Sequence, residues 1–391
     1  MMTDHQPYHI LREKFRRDYR CEPGVIAYAP GRVEVLGNHT DYNEGLVLSA
    51  AIDVGTFFAC GPRRDGTFRL TAADVDETVE FLAAAPEASR AHPWANYVKG
   101  VLAGLAARQP LAHGCDAMFL GDIPLGSGLS SSAALEICAG LALARLYGIA
   151  VDPLDMARIG QAAEHRFAGV KCGLMDQISS LFGRNGTLVE TDFRSLAVRN
   201  VPLGRDVCLL ICNTHARHAL VDGEYNRRRE ACEFSARYFA TVLPHPVRAL
   251  RDVSRQEWEA YRGGLSALMA RRAIHPIGEN ERVMQGARLL AHNDLAGFGR
   301  LMYESHESSR TCFENSCPEL DLLVEAARPI PGVLGARLSG GGFGGSVVVL
   351  TQCHAAAAAG AALAEAYGRA FGKPCDARIL TPSDGAHVVM G

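Results

Sequence analysis

PLGSGLSSSAALE, residues 124–136, joins a loop of glycine and serine to the opening of a helix. Backbone N–H groups in such a loop can lie against phosphate oxygens, and the helix N-terminus adds the positive end of its dipole. The serine hydroxyls can reach a phosphate or a metal ion. The segment alone therefore predicts an anion site. Two further segments make the prediction more specific: APGRVEVLGNHTDYN (29–43) upstream and LSGGGFGGSVVVL (338–350) downstream.

The composition is that of a globular protein with more than one core. A chain of 391 residues favours two domains or two lobes. Hydrophobic residues make up 48% and charged residues 21%, and 40 basic against 43 acidic side chains give a net charge of -3. This balance argues against nucleic acid or an anionic membrane surface as a partner.

The chain shows no pattern typical of export or of a membrane protein. Its charged N-terminus lacks the apolar core of a secretory signal, and there is no run of about 18 apolar residues. The 12 cysteines include no CxxC pair and no zinc-type spacing, which favours reduced, buried thiols. We therefore expect a cytoplasmic protein that acts as a monomer on small molecules, with no nucleic acid and no membrane as a partner.

Strand and helix patterns alternate without a strict βαβ repeat, which favours an α+β fold in two lobes. We place the N-terminal lobe at 1–200, with a mixed sheet, helices and the glycine–serine loop. The C-terminal lobe takes 201–391, with an antiparallel sheet, helices and the glycine run. In the first lobe, a strand at 25–28 is expected to enter a Pro-Gly-Arg loop, and 45–53 and 56–61 are expected to be two paired strands.

Local periodicity places the other elements. Asp152 before Pro153 is a plausible N-cap. Helices are predicted at 11–20, 94–107, 131–147, 153–167 and from 173, and strands at 115–120, 187–190, 207–212, 333–338, 346–350 and 377–380.

Common nucleotide motifs do not explain the glycine-rich segments. A P-loop needs Gly-Lys followed by Ser or Thr, and Gly372-Lys373 is followed by proline. The run 340–347 fits the glycine loop of protein kinases, but no HRD or DFG motif follows it. It also fits the dinucleotide pattern, but a strand follows where a helix is required. Each pattern is weak by itself.

Taken together, the three segments resemble the signatures of the small-molecule kinases named for galactose, homoserine, mevalonate and phosphomevalonate. Within that superfamily, GRVEVLGNHTDYNEG resembles the galactokinase signature. Further matching strings follow in the expected order: WANYVKG (94–100), QAAEHRFAG with CGLMDQ (161–177), GEYNRRRE (223–230) and SCPELD (316–321). The resemblance implies that superfamily's two-lobed fold. It also implies a transferase in galactose metabolism that uses ATP and Mg²⁺ to phosphorylate galactose at C1, giving galactose 1-phosphate and ADP.

The resemblance implies catalytic and metal-binding roles. Asp176 matches the family's catalytic carboxylate, proposed to take the proton of the C1 hydroxyl. Arg32 matches the arginine that pairs with this carboxylate and stabilises developing phosphoryl charge. Ser132 and Glu164 match the magnesium ligands. The structural alternatives are a carboxylate complementing a helix dipole for Asp176 and an ordinary surface residue for Glu164.

The resemblance also implies binding residues. The sugar is expected to contact Asn38, His39, Thr40, Asp41, Gly173 and Tyr225. The nucleotide phosphates are expected to lie on Gly126, Ser127, Gly128, Leu129, Ser130, Ser131 and Ser132. Asp41 can accept hydrogen bonds from two adjacent ring hydroxyls. Trp94 either packs near adenine or belongs to the core.

The main departure from the family is at position 38, with smaller ones at Ser49 and 308–311. The family string is Gly-Glu-His-Thr-Asp, and its glutamate is associated with the C6 hydroxyl of the sugar, but this chain has Asn38. An alternative is therefore a sibling kinase for a C6-altered sugar such as galacturonate, whose carboxylate asparagine would not repel. A second alternative is a regulator that binds galactose and ATP without catalysis. The complete GLSSSAA string and Asp176 argue against it.

Overall fold

The computed structural model describes residues 6–124, 126–217 and 221–391. Within these ranges the fold is α+β, as the sequence predicts, with strands in two sheets and helices packed on both. The helices are α1 (Gln6–Tyr19), α2 (Ala95–Ala106), α3 (Ser131–Tyr147), α4 (Pro153–Ala163), α5 (Met175–Phe182), α6 (Val221–Val242), α7 (Arg255–Tyr261), α8 (Ala267–Ala291), α9 (Leu295–Ser308), α10 (Pro318–Ala327) and α11 (Ala356–Phe371). The strands are β1 (Val25–Leu36), β2 (Leu46–Arg63), β3 (Thr67–Ala72), β4 (Glu77–Leu82), β5 (Gly114–Gly121), β6 (Thr187–Asp192), β7 (Ala197–Pro202), β8 (Val207–Arg217), β9 (Val333–Ser339), β10 (Gly344–Gln352), β11 (Asp376–Leu380) and β12 (His387–Met390).

The first sheet is mixed and has the order β12-β1-β2-β5-β3-β4. β3 and β5 are parallel, and the other pairs are antiparallel. The long strand β2 also pairs with β6 at its beginning, and β6 pairs with β7. Strand β12 pairs with β1, so the first sheet contains both the first strand and the last strand in chain order.

The second sheet is antiparallel and has the order β11-β8-β10-β9. The glycine run forms the turn between β9 and β10. Leu210, Val347 and Val349 are fully buried between this sheet and the helices α10 and α11. Val348 and Leu350, on the other face of β10, are buried in the main core, so the consecutive apolar residues of this strand are buried on both faces.

The Pro-Gly-Arg loop predicted from the sequence is wrong. Residues 30–32 lie inside the continuous strand β1, where the pairing with β2 shifts register between Pro30 and Arg32. A Cβ at Gly31 would lie 2.7 Å from the Leu129 carbonyl oxygen, and Arg32 N–H donates to that oxygen at 3.1 Å. Glycine is therefore needed because the glycine–serine loop crosses the strand here, and no turn is required.

The two strands predicted at 45–53 and 56–61 are also a single strand, β2. Asp53 and Gly55 suggested a break because both residues are poor strand formers. β2 pairs with β1 on either side of this point, with Ala51 opposite Arg32 and Gly55 opposite Pro30. Between them, Ile52 forms a bridge with Pro382, and Asp53 accepts a hydrogen bond from Thr381 N–H. Tertiary pairing outweighs the local preference.

Small side chains bring α3 close to the first sheet. The helix begins at Ser131 and packs on β1 and β2, with Ala133, Ala134, Ala139 and Ala142 fully buried. The next helix, α4, is capped as predicted, since the Asp152 side chain accepts a hydrogen bond from Leu154 N–H.

The cysteines and the helices also bear on the predictions about thiols and membrane spans. All 12 cysteines are free, and most are buried, as predicted. No helix among the described residues combines the length and apolar character needed to cross a membrane.

Candidate active site

A cavity of about 460 Å³ lies where β1, α5, the start of α6 and the β9–β10 turn meet. It brings together residues that are far apart in sequence. Of the residues predicted to act in catalysis or sugar binding, the cavity is lined by Arg32, Asn38, His39, Asp41, Gly173, Asp176 and Tyr225. Thr40 is buried behind this wall, where its hydroxyl lies 2.7 Å from Gly37 O and 2.6 Å from Leu46 O.

Arg32 and Asp176 form a two-point ion pair in the cavity wall. Arg32 Nε donates to Asp176 Oδ1 at 2.7 Å, and Nη2 donates to Oδ2 at 2.6 Å. Arg32 Nη1 donates to Gly128 O at 2.7 Å, and the Ser130 hydroxyl donates to Asp176 Oδ2. Because the guanidinium is a rigid planar fork, these contacts fix the carboxylate in one orientation. They also connect it to the glycine–serine loop.

The glycine–serine loop leaves the N-terminus of α3 open. Gly126, Gly128 and Ser130 have φ values of 70°, 73° and 58°, in the left-handed region that makes the loop turn sharply. Ser130 occupies the N-cap position, but its side chain makes no capping hydrogen bond, since it donates to Asp176. The first N–H groups of α3 therefore remain available to an anion.

Two other loop residues hold the loop itself. The Ser127 hydroxyl donates to Pro124 O at 2.6 Å, and Ser127 O accepts from the Ser346 hydroxyl at 2.6 Å. Leu129 is buried, and its carbonyl accepts from Arg32 N–H. At the end of the loop, the described contacts include no hydrogen bond of the Ser131 hydroxyl.

Ser132 and Glu164 are neighbours across two helices. The Ser132 hydroxyl donates to Glu164 Oε1 at 3.0 Å. Glu164 begins the π-helical turn Glu164–Ala168, which re-aims the chain at the end of α4. Burial and the nearby charge of Asp176 raise the pKa of Glu164. A buried carboxylate beside a hydroxyl, next to an open helix N-terminus, is an oxygen site suited to Mg²⁺ shared with phosphates.

Asp41 also lines the cavity. Burial, with smaller effects of Glu34 and Asp176, raises the pKa of Asp41 to about 6. Its carboxylate lies directly against Gly173, where a Cβ would overlap the carboxylate oxygen and lie 2.8 Å from Cγ. The glycine at 173 therefore leaves the space that Asp41 fills.

Family models match three parts of the chain: a galactokinase galactose-binding signature at 13–62, a GHMP kinases N-terminal domain at 96–184 and a GHMP kinases C-terminal domain at 287–369. A galactokinase of Haemophilus influenzae (strain PittEE) is 40% identical over 388 residues, which are 98% of this chain and 100% of that protein. A galactokinase of Actinobacillus succinogenes is 41% identical over 97% of this chain and 99% of that protein. The chain belongs to the galactokinase family. A solved structure of Lactococcus lactis galactokinase complexed with galactose has a TM-score of 0.91 and 31% identity, covering 96% of this chain and 98% of that chain.

The galactokinase signature of this chain is held from the C-terminal half by residues that sequence reasoning missed. Glu279 of α8 is fully buried and accepts hydrogen bonds from the backbone N–H groups of Gly37 (3.1 Å) and Asn38 (2.9 Å). Burial opposes ionisation of Glu279, but the charges of Arg282 and Arg337 and the hydrogen bond from Asn38 N–H hold its pKa at about 2, so the acceptor is ionised. Asn315 donates to Asn38 Oδ1 at 2.9 Å. Glu279 lies in the polar run GENER (278–282), so no local signal in the sequence marked it for this role.

His39 is part of the same packing. Its Nε2 lies 3.1 Å from Gly341 O and its Nδ1 lies 2.7 Å from the Tyr42 hydroxyl, an arrangement in which Nε2 donates and Nδ1 accepts. Burial lowers the pKa of His39 to about 4, so the ring is neutral. Tyr225 packs beside it with ring centroids 5.1 Å apart, and the Tyr225 hydroxyl makes no hydrogen bond to any described residue. Tyr225 therefore offers its hydroxyl to a ligand in the cavity, whereas both ring nitrogens of His39 are hydrogen-bonded within the protein.

Trp94 lies away from this galactokinase site. Its indole N–H donates to Glu77 at 2.7 Å, and its ring packs against Phe119 with centroids 5.8 Å apart. The residue packs on the main core. These contacts agree with the core alternative for Trp94, while its place relative to adenine remains a prediction.

Replacing Gly173 with Ala will weaken sugar binding while leaving the fold intact. The new methyl group takes the space of the Asp41 carboxylate, which must rotate away because it is the end of a flexible side chain. We expect the KM for galactose to rise roughly 10-fold or more, the loss of one charge-assisted hydrogen bond, with a smaller change in kcat. Gly66→Ala is the matched control, since nothing lies within 4 Å of a Cβ there. An unchanged KM in Gly173→Ala would contradict this role of the glycine.

Replacing Asp41 with Asn will stabilise the free protein at high pH. The pKa of Asp41 is raised to about 6 in the folded state, above its ordinary value of 3.8, so its ionised form opposes folding. The wild type therefore loses this stability as pH rises through about 6. We expect the Tm of Asp41→Asn to exceed that of the wild type at pH 8 by on the order of 2–4 °C, and the difference to vanish near pH 4. Asp74→Asn, at an exposed carboxylate outside the cavity, is the matched control. A Tm difference between Asp41→Asn and the wild type that does not change with pH would contradict the prediction.

Proposed function

We propose that this enzyme transfers the γ-phosphoryl group of ATP to the C1 hydroxyl of galactose, giving galactose 1-phosphate and ADP. The observation that carries the proposal is the contact of Arg32 with both Asp176 and Gly128. It places one cation between the loop suited to phosphates and the cavity suited to a sugar. Phosphoryl transfer needs this juxtaposition, because catalysis rests on positioning and on stabilising charge at the transferred group.

Asp176 is the group that takes the proton. As the O–H bond of the C1 hydroxyl breaks, the proton passes to the Asp176 carboxylate, and the sugar oxygen forms the new bond to phosphorus. The bond between the β- and γ-phosphates breaks, and ADP leaves with the electron pair. Arg32 holds both carboxylate oxygens in one orientation before the transfer and faces the developing charge during it. Ser130 fixes the second carboxylate oxygen.

Ser132 and Glu164 are the residues that would hold Mg²⁺. Two hard oxygens, one of them on a buried carboxylate with a raised pKa, fit a divalent cation that takes its other ligands from ATP and water. When bound, the ion neutralises phosphate charge. The open N-terminus of α3 would receive the same phosphates.

For the sugar, we assign Asp41 and Tyr225 as hydrogen-bonding residues. The Asp41 carboxylate lies at the cavity wall beside Gly173, and the Tyr225 hydroxyl has no partner among the described residues. His39 and Thr40 support the wall, since their polar side-chain atoms are bonded within the protein. Galactose is favoured over galacturonate because the cavity already contains the carboxylates of Glu34, Asp41 and Asp176.

We also propose that the enzyme is a monomer of the cytoplasm. Twelve free thiols, most of them buried, suit a reducing compartment. Light scattering on the purified protein measures the oligomeric state directly. A mass near 42.0 kDa supports a monomer, and twice that value would contradict it.

The test of the function is ADP release with Mg-ATP across a panel of sugars. The panel is galactose, galacturonate, 6-deoxygalactose, arabinose, glucose and N-acetylgalactosamine, with Asp176→Asn as the blank. Turnover of galactose that Asp176→Asn abolishes supports the proposal. Turnover of galacturonate alone would make the enzyme a sibling kinase. Galactose binding without turnover of any sugar would make the protein a regulator.

A further inference from the structure

Asn38 has almost no hydrogen-bonding capacity left for a ligand. Its amide nitrogen donates to Glu34 Oε1 at 2.9 Å and to Gly340 O at 2.7 Å, which uses both of its hydrogens. Its amide oxygen accepts from Asn315 at 2.9 Å. The residue is 0% exposed. The sequence comparison pointed to position 38 as the residue that distinguishes this sugar site, but its side chain is committed to the protein.

Glu34, unlike Asn38, keeps a side-chain oxygen that can accept a hydrogen bond from a ligand. Its Oε1 atom accepts from Asn38 and, at 2.9 Å, from Arg337 Nη1. Its Oε2 atom accepts no hydrogen bond from any described residue. The side chain is only 5% exposed, and it lines the same cavity as Arg32 and Asp176. A carboxylate oxygen buried in this way, with no protein donor, needs a donor from whatever fills the cavity.

A buried cation supports the charge of Glu34. Arg337 is 0% exposed, and besides Oε1 its Nη1 atom contacts the Glu34 carbonyl oxygen at 3.4 Å. Burial raises the pKa of Glu34, while Arg337 and the Asn38 amide oppose that rise. The carboxylate is therefore held in place by two donors on one oxygen, which directs the other oxygen away from them.

We propose that Glu34 is a specificity-determining residue whose Oε2 accepts a hydrogen bond from a ring or exocyclic hydroxyl of the sugar other than C1, and that Asn38 is its positioning residue. This inference rests on the proposed function. In the family pattern the glutamate stands at position 38. In this chain position 38 is asparagine, and the carboxylate at the contact between residues 34 and 38 comes from Glu34 of β1. A neutral sugar with a hydroxyl at this point is bound, and a sugar with its own carboxylate there is repelled.

The test is a cycle of two changes, one in the enzyme and one in the sugar. Glu34→Gln keeps an acceptor for Arg337 and Asn38 but replaces Oε2 with an N–H donor. Wild type and variant are assayed with galactose and with 2-, 3-, 4- and 6-deoxygalactose. We expect Glu34→Gln to raise the KM for galactose about 10-fold, with kcat changed less than threefold. For one deoxy sugar, the two losses will not add, because both remove the same hydrogen bond.

Two further measurements cover the cases in which Glu34→Gln does not fold or the wild type does not turn over galactose. Glu34→Asp retains the charge beside Arg337 and withdraws Oε2 by one methylene, so it carries the cycle if Glu34→Gln does not fold. If the wild type does not turn over galactose, the proposed function fails, and the same cycle is measured by calorimetric binding of the five sugars. An unchanged KM or Kd in a folded Glu34 variant would overturn the inference. So would losses that add for all four deoxy sugars.

Discussion

Asp176→Asn is expected to lower kcat for galactose phosphorylation by about 10²–10⁴-fold, the usual contribution of a positioned general base. The amide keeps the size of the carboxylate, and its oxygen still accepts one hydrogen bond from Arg32, while its NH2 group cannot accept the second. It cannot take the proton of the C1 hydroxyl. The KM values for galactose and ATP should change only a few-fold, because Asp176 acts on the step of bond formation more than on binding.

Steady-state ADP release measures this effect, with Asp155→Asn as the matched control. Asp155 pairs with Arg108 at 2.7 Å and Arg158 at 2.8 Å on an exposed part of α4, away from the cavity. We expect the control to keep full activity. A kcat within about 10-fold of the wild type in Asp176→Asn would mean that the carboxylate mainly orients the substrate. Proton transfer to Asp176 would then be contradicted.

Arg32→Lys is expected to lower kcat by at least about 10²-fold, although it preserves the positive charge. Lysine cannot form the two parallel hydrogen bonds to Asp176 and the third to Gly128 O, because an ammonium group is a single point of charge. The variant therefore loses the orientation of the carboxylate and its connection to the glycine–serine loop. Arginines that stabilise phosphoryl transfer contribute roughly 10³–10⁵-fold in related chemistry.

The effect of Arg32→Lys should not add to that of Asp176→Asn, since each change disables the same unit. The double variant is thus expected to be about as slow as the slower single variant. Arg12→Lys is the control, because Arg12 is an exposed residue of α1 that pairs only with Glu22 at 3.2 Å among the described contacts. Additive losses in the double variant would show that Arg32 and Asp176 act independently.

Local pattern was enough to predict much of the molecule. The α+β class, the helix that starts at Ser131, the Asp152 cap and the strand at 346–350 were all predicted from neighbouring residues. The pattern failed around β1 and β2. Proline at 30 and glycine at 55 favour a turn locally, but strand pairing on both sides of β2 stabilises the extended chain.

The candidate site also contains residues that motifs predicted and residues that no motif marked. Arg32, Asp176, Ser132 and Glu164 each stood in a motif, so they could be named before their positions were known. Glu34, Glu279 and Asn315 could not, because nothing in their neighbouring residues distinguishes them from ordinary polar side chains. Their importance comes from contacts with residues more than 240 positions away in the chain for Glu279 and Asn315.

The sequence by itself determined the glycine–serine loop, the helix start that follows it and the chemical types at the site, since backbone conformation and capping depend on adjacent residues. Only the tertiary structure decided that Arg32 also donates to Gly128 O and that the glycine run closes on the sugar segment through Gly340 and Gly341. Only the fold also decided that the Asn38 side chain is fully hydrogen-bonded within the protein, while Glu34 keeps one carboxylate oxygen without a donor from the described residues. These outcomes depend on which buried polar atoms find partners, and those partners come from distant segments that packing brings together.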